Sequence, residues 1–189
     1  TMVPAAFAAD TADSNYTTCM AAIQEQKVIQ DQAHQTAESL RQKGYDDSSA
    51  YIQAAQSTWW AAQDEIVAYQ KLSQYTDEDI RILTTAVFYE AGHTTEQLRE
   101  YVAQVVLNRV ADSRFPDTVK GVITQPGQYA TKYATQAATD SIKSADSQNG
   151  TYYYAMCEAA VKKAMMGQVD MPSNVLYQAN FAQGKGVWQ

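Results

Sequence analysis

The stretch Val87-Phe88-Tyr89-Glu90-Ala91-Gly92-His93 carries the side chain best suited to chemistry. Upstream, Ile80, Leu83, Thr84 and Val87 recur at helical spacing, which predicts that Glu90 rides the last turn of an amphipathic helix. Gly92 can take the left-handed backbone that ends a helix, and Thr94 or Thr95 can cap the next one. Phe88, Tyr89 and Ala91 would strip water from Glu90. A desolvated carboxyl holds its proton to higher pH, as a general acid near neutral pH must. The competing reading is a surface Glu near a helix end. A second stretch, Gln125-Pro126-Gly127-Gln128-Tyr129, is a loop with two uncharged amides and a flat ring. Amides and aromatic faces suit sugars and N-acetyl groups, and Gly127 would let the backbone approach closely. Its competing reading is an ordinary tight turn with solvated Gln side chains.

Other chemistries find less support. Glu90-x-x-His93 has the carboxylate-x-x-His spacing of di-iron bundles, echoed by Asp31-x-x-His34. Such sites need further Glu ligands from two other helices, and Gly92 interrupts the helix that would align Glu90 with His93. No metal and no cofactor is expected. Two histidines provide no credible Ser/His/Asp or Cys/His set, and no Gly-rich phosphate loop exists.

The elements that would position these residues fall into two parts, after residues 1–14, which read as a signal-peptide remnant or a structureless N-terminus. Ala6-x-Ala8 there has the small-x-small form of a cleavage site. Residues 15–75 are rich in Gln and Ala. Tyr16, Cys19, Ile23, Ala33, Ala37 and Leu40 form one helical stripe, and Ile52, Ala55, Trp59, Ala62, Ile66 and Tyr69 another. Lys43-Gly44-Tyr45-Asp46-Asp47-Ser48-Ser49 stops the first helix and caps the second, so an antiparallel, coiled-coil-like hairpin is expected. Residues 76–189 open on Thr76-Asp77-Glu78-Asp79, an approximate capping box. Helices are predicted at 77–91, 94–111, 118–124 and 150–167, with another around 133–145 and a break at Asn149-Gly150. Val175-Leu176-Tyr177-Gln178 reads as a strand. The fold class is mainly α with little β.

Five blocks along the second part follow a familiar order: Glu90-Ala91-Gly92; Val105-Val106-Leu107-Asn108-Arg109; Arg114-Phe115-Pro116-Asp117-Thr118; Gly121-Val122-Ile123; and Gln125-Pro126-Gly127-Gln128-Tyr129. In these the chain resembles the SleB/CwlJ-type cell wall hydrolases, the spore-cortex-lytic group, over about residues 77–189. Gly92-His93-Thr94 stands where that family commonly has Arg-Gly-Glu, and Tyr129 where Phe is usual. The resemblance implies a lysozyme-like domain that cleaves peptidoglycan glycan strands, with Glu90 as general acid and base at a helix end facing a groove. It implies that Gln125, Gln128 and Tyr129 line that groove, and nominates Tyr177 and Asn180 near the end of the chain. It further points to lytic transglycosylase chemistry, with hydrolysis by a muramidase route as the neighbour reading. The alternative is a non-catalytic wall-binding or assembly protein with a degenerate hydrolase domain. Arg109 is read as forming a structural ion pair with Asp112 or Asp117.

Charge and composition are compatible. The 189 residues carry a net charge of −7 and a pI near 4.7, with no basic stripe, so nucleic acid is an unsuitable partner. No apolar run approaches the ~20 residues that span a bilayer. A secreted or wall-associated location is expected, with peptidoglycan as partner and the hairpin available for self-association or another protein. Cys19 and Cys157 could form one bridge or remain two buried thiols.

Overall fold

The computed structural model describes residues 13–144, 148–180 and 186–188. The leader-like residues 1–12 lie outside that range. Two compact units divide at Gln74 and Tyr75.

The first unit is two helices, α1 (Ser14–Gln42) and α2 (Ala50–Leu72). Asp13 caps α1 by accepting from the Asn15 and Tyr16 backbone N–H groups. Gly44, at φ +89°, ends it: Tyr45 N–H donates to Leu40 O and Gly44 N–H to Arg41 O, the paired bonds of a left-handed glycine cap. The helices run antiparallel. The Asn15 side-chain amide donates to Leu72 O at 3.0 Å, and Gln30 donates to Gln63 at 2.9 Å. Cys19, Ile23, Ala33 and Ala37 on α1 are buried, as are Ile52, Ala55, Ala62 and Ile66 on α2. Trp59 packs edge-on against Trp60, whose ring is 63% exposed.

The second unit gathers round α3 (Asp77–Ala91). Its start is a true capping box: Thr76 Oγ1 accepts from Asp79 N–H, and the Asp79 carboxylate accepts from Thr76 N–H. The expected one-sided stripe is replaced by burial all round. Every residue from Ile82 to Val87 is buried, because α4 (Glu96–Ala111), α5 (Val119–Thr124), α6 (Gln136–Ser144) and α7 (Gln148–Met165) all pack against or around it. The polar members of that run are small: the Thr85 hydroxyl pairs with Thr139 at 2.8 Å. α4 starts at Thr95, whose hydroxyl accepts from Leu98 N–H; Thr94 instead donates back to Ala91 O.

Three local expectations are corrected. Gly92 is right-handed (φ −53°, ψ −39°), and its lack of a side chain matters for space: a Cβ would stand 2.5 Å from Phe88 O. Asn149-Gly150 lies inside α7 rather than breaking the chain. The strand β1 is Gln178–Asn180, pairing antiparallel with β2 (Gly186–Trp188) in the register Gln178↔Trp188. It begins only at the last residue of the predicted run because α4 claims the carbonyls before it. Asn108 Nδ2 donates to Pro172 O and Val175 O, and Arg109 Nε donates to Leu176 O at 2.7 Å. Among the described residues no helix is long and apolar enough to cross a membrane. Cys19 and Cys157 are both buried, and neither is in a disulfide among the described residues.

Candidate active site

Glu90 stands on the last turn of α3, half-buried. Loss of water pushes its carboxyl above the usual range, and a hydrogen bond from the Tyr133 hydroxyl partly opposes the rise. Tyr133 belongs to the 3₁₀ turn Thr131–Ala134, and its ring stacks on Tyr89 at 4.7 Å and 5°. That turn is gripped from α3. Arg81 donates to Ala134 O, Thr135 O and the Thr139 hydroxyl, each at 3.1 Å. One turn of backbone is thus tied to the helix that bears the acid, and Tyr133 meets Glu90 as a result. Lys132 adds a cation 5.3 Å above the Tyr89 ring. Sequence reasoning passed over Tyr133 and Arg81; the one available signal is that Tyr133 lies in a polar stretch, Thr131-Lys132-Tyr133-Ala134-Thr135, with no packing need for an aromatic.

Beyond Glu90 the α3–α4 turn is held from α4. Buried Arg99 donates to Gly92 O and Thr94 O. His93 is exposed and lies edge-on to Tyr153 at 4.4 Å and to Phe88 at 5.7 Å. Among the described residues no three His, Cys, Asp or Glu side chains cluster as metal ligands.

The other predicted residues fall into two groups. Gln125 and Gln128 bracket a tight turn, with Gln128 N–H donating to Gln125 O at 3.3 Å and Gly127 at φ +78°. Pro at the second and Gly at the third position make this a type II turn. A Cβ on Gly127 would meet nothing within 4 Å, so the glycine serves the turn's handedness and not close approach. Gln128 is exposed, whereas the Gln125 Oε1 atom is sealed without a partner. Tyr129 and Tyr177 meet at Arg109. The guanidinium carbon lies 5.5 Å from the Tyr129 ring centre, 5.4 Å from Tyr177 and 5.4 Å from Phe115. Tyr129 lies within electrostatic reach of both Arg109 and Glu90, and burial pushes its phenol up to about 12. Asn180 ends β1; its side chain lies outside the described residues.

Arg109 is therefore not in an ion pair with Asp112 or Asp117. Asp112 is held instead by Arg114 at 2.8 Å, which pulls its carboxyl down to about 2. The Phe115-Pro116 turn that presents a ring to Arg109 is seated on Gly121, where a Cβ would stand 2.6 Å from Pro116 Cβ. Among the carboxylates that follow Glu90 in the chain, Glu100 is buried and paired with Lys163, and Glu96 lies 3.6 Å from the same amine. Neither influence on Glu90 comes from a second acid.

Comparison with known proteins gives a consistent family. The model of the cell wall hydrolase family matches residues 94–188, half of the chain, beginning four residues beyond Glu90. The spore cortex-lytic enzyme of Halalkalibacterium halodurans is 34% identical over 108 residues, covering 49% of this chain and 33% of that protein. Those of Oceanobacillus iheyensis and Bacillus subtilis are 32% and 27% identical, over 42% and 57% of this chain and 33% and 39% of theirs. The matched stretch thus spans a third or little more of these curated relatives. No solved structure matches. With a family model covering half its length, the chain belongs to the cell wall hydrolase family.

Proposed function

We propose that this protein cleaves the glycan strands of peptidoglycan between N-acetylmuramic acid and N-acetylglucosamine, with Glu90 as general acid and then general base. One observation carries the reading: a half-buried carboxyl at a helix end, pushed above the usual carboxylate range by loss of water and hydrogen-bonded by Tyr133. Glu90 gives its proton to the glycosidic oxygen as the C1–O bond breaks and the electron pair leaves on that oxygen. The sugar carbon is left with oxocarbenium character. Because among the described residues no second carboxylate bears on Glu90, capture is assigned to the substrate itself. The muramic acid 6-hydroxyl attacks C1, and its proton returns to the Glu90 carboxylate, leaving a 1,6-anhydro end. This is lytic transglycosylase chemistry; a water activated by the same carboxylate would give the muramidase outcome.

Gln125, Gln128, Tyr129 and Tyr177 are the proposed strand contacts, and Asn180 is retained as a weaker one. The substrate class implies an extracytoplasmic site of action. Mass spectrometry of digested wall tests the route: 1,6-anhydro ends are expected, and fragments heavier by one water would replace transglycosylation with hydrolysis. If purified protein clears no wall and yet binds it, a binding role takes the place of cleavage.

A further inference from the structure

We propose that Arg109 is a carboxylate-binding subsite for the wall strand, built beside the acid; this rests on the reading of the strand as substrate. Arg109 is 4% exposed, yet among the described residues no carboxylate pairs with it. Buried cations ordinarily have a counter-ion, because leaving one uncompensated is strongly unfavourable. The three rings of Phe115, Tyr129 and Tyr177 meet part of that need through their faces. They offer nothing to the in-plane N–H groups. Nε is already spent on Leu176 O. The two terminal amino groups have no hydrogen-bond partner among the described residues. They are also not among the sealed unpartnered atoms, as Nε of Arg99 is, so they keep solvent contact. What remains is the end-on pair of the guanidinium fork, a spacing that matches the two oxygens of one carboxylate.

The surroundings place this fork on the strand's path. Tyr129 lies within reach of both Arg109 and Glu90. Tyr177, 51% exposed, holds an open ring beside the guanidinium for the apolar face of a sugar. The wall offers carboxylates from two sources, the stem peptides and the lactyl group once a stem is removed, and the fork suits either.

The test is co-sedimentation of Glu90→Gln protein with three walls: native, stem-free after amidase treatment, and carboxyl-amidated. The proposal expects amidation to weaken binding about tenfold. General electrostatics predict the reverse, since a chain of net charge −7 is repelled less by a neutralised wall. Stem-free wall that binds like native wall shows that the fork takes the lactyl carboxylate freed by the amidase as well as those of the stem; binding like amidated wall assigns the stem carboxylates alone. Arg109→Gln should erase the difference between native and amidated walls, and Arg109→Lys should keep part of it. Equal affinity for native and amidated walls overturns the proposal, as does a folded Arg109→Gln protein that still discriminates, or failure to sediment with any wall. Should Arg109→Gln not fold, the comparison of walls with Arg109 intact still decides. No turnover is needed, so an inactive parent protein would sink glycan cleavage while leaving this result standing.

Discussion

Glu90 stands on the last turn of α3 and Arg109 on the last turn of α4, and each has aromatic rings beside it, Tyr133 at Glu90 and Phe115, Tyr129 and Tyr177 at Arg109. Around Glu90, beside the stacked Tyr89–Tyr133 pair, burial pushes the carboxyl up. Around Arg109 three ring faces remove water too, but their negative faces oppose its loss for a cation. Aromatic surroundings thus accompany a carboxyl held to higher pH at one end and a guanidinium set against ring faces at the other. The difference teaches that an aromatic lining has no single electrostatic effect. Which end of the site can donate a proton, and which can hold an anion, follows from the sign of the group it encloses.

The two ends can be broken separately. The largest expected effect is at the Glu90 end. Arg81→Ala removes three hydrogen bonds, two to the Tyr133 turn and its cap and one to Thr139 on α6, and should destabilise the protein by about 3 kcal/mol. Chemical denaturation would measure this, and the Arg109 fork should keep its binding behaviour in the surviving folded fraction. The converse variant is Gly121→Ala. Its Cβ would collide with Pro116, displace Phe115 from Arg109, and lower stability by about 2 kcal/mol, with the Glu90 end spared. Tyr133→Phe is milder. It removes the hydrogen bond that lowers the Glu90 carboxyl, so the alkaline limb of activity should move to higher pH while kcat falls about tenfold. A pH profile that moves the other way would contradict the assignment of Tyr133.

The smallest effect concerns stability and pH. A folded-state carboxyl raised above its unfolded value binds more protons when folded, so its stabilisation is present at low pH and lost as pH rises through the raised value. Glu90→Gln should therefore melt about 1–3 °C higher than the parent at neutral pH, and match it under acid conditions. Thermal melts at both pH values check this.

Much of the local structure was legible. Thr76 and Asp79 announced their capping box, and the bounds of α3 followed from Asp77 to Gly92. The stripes of α1 and α2 matched their buried faces because each helix buries one side only. α3 misled for the opposite reason: a helix enclosed by neighbours has no polar face to mark its period. The strand was misplaced because Asn108 and Arg109, some 65 residues earlier, satisfy the carbonyls of 172–176, and no local pattern reports that. At the site, Glu90 was legible from its flanking rings. Tyr133 was not, since Arg81 brings it there from a distant turn. Arg109 was visible as a residue but not as an unpaired cation, because nearby Asp112 is taken by Arg114.

The central claim is that the Glu90 carboxyl delivers the proton that breaks the glycan strand. Its most direct test is release of soluble muropeptides from purified peptidoglycan by parent and Glu90→Gln proteins of equal fold by circular dichroism. The account predicts a loss of roughly 10²–10⁴-fold in rate with wall binding retained. Undiminished release by the Gln variant would contradict it.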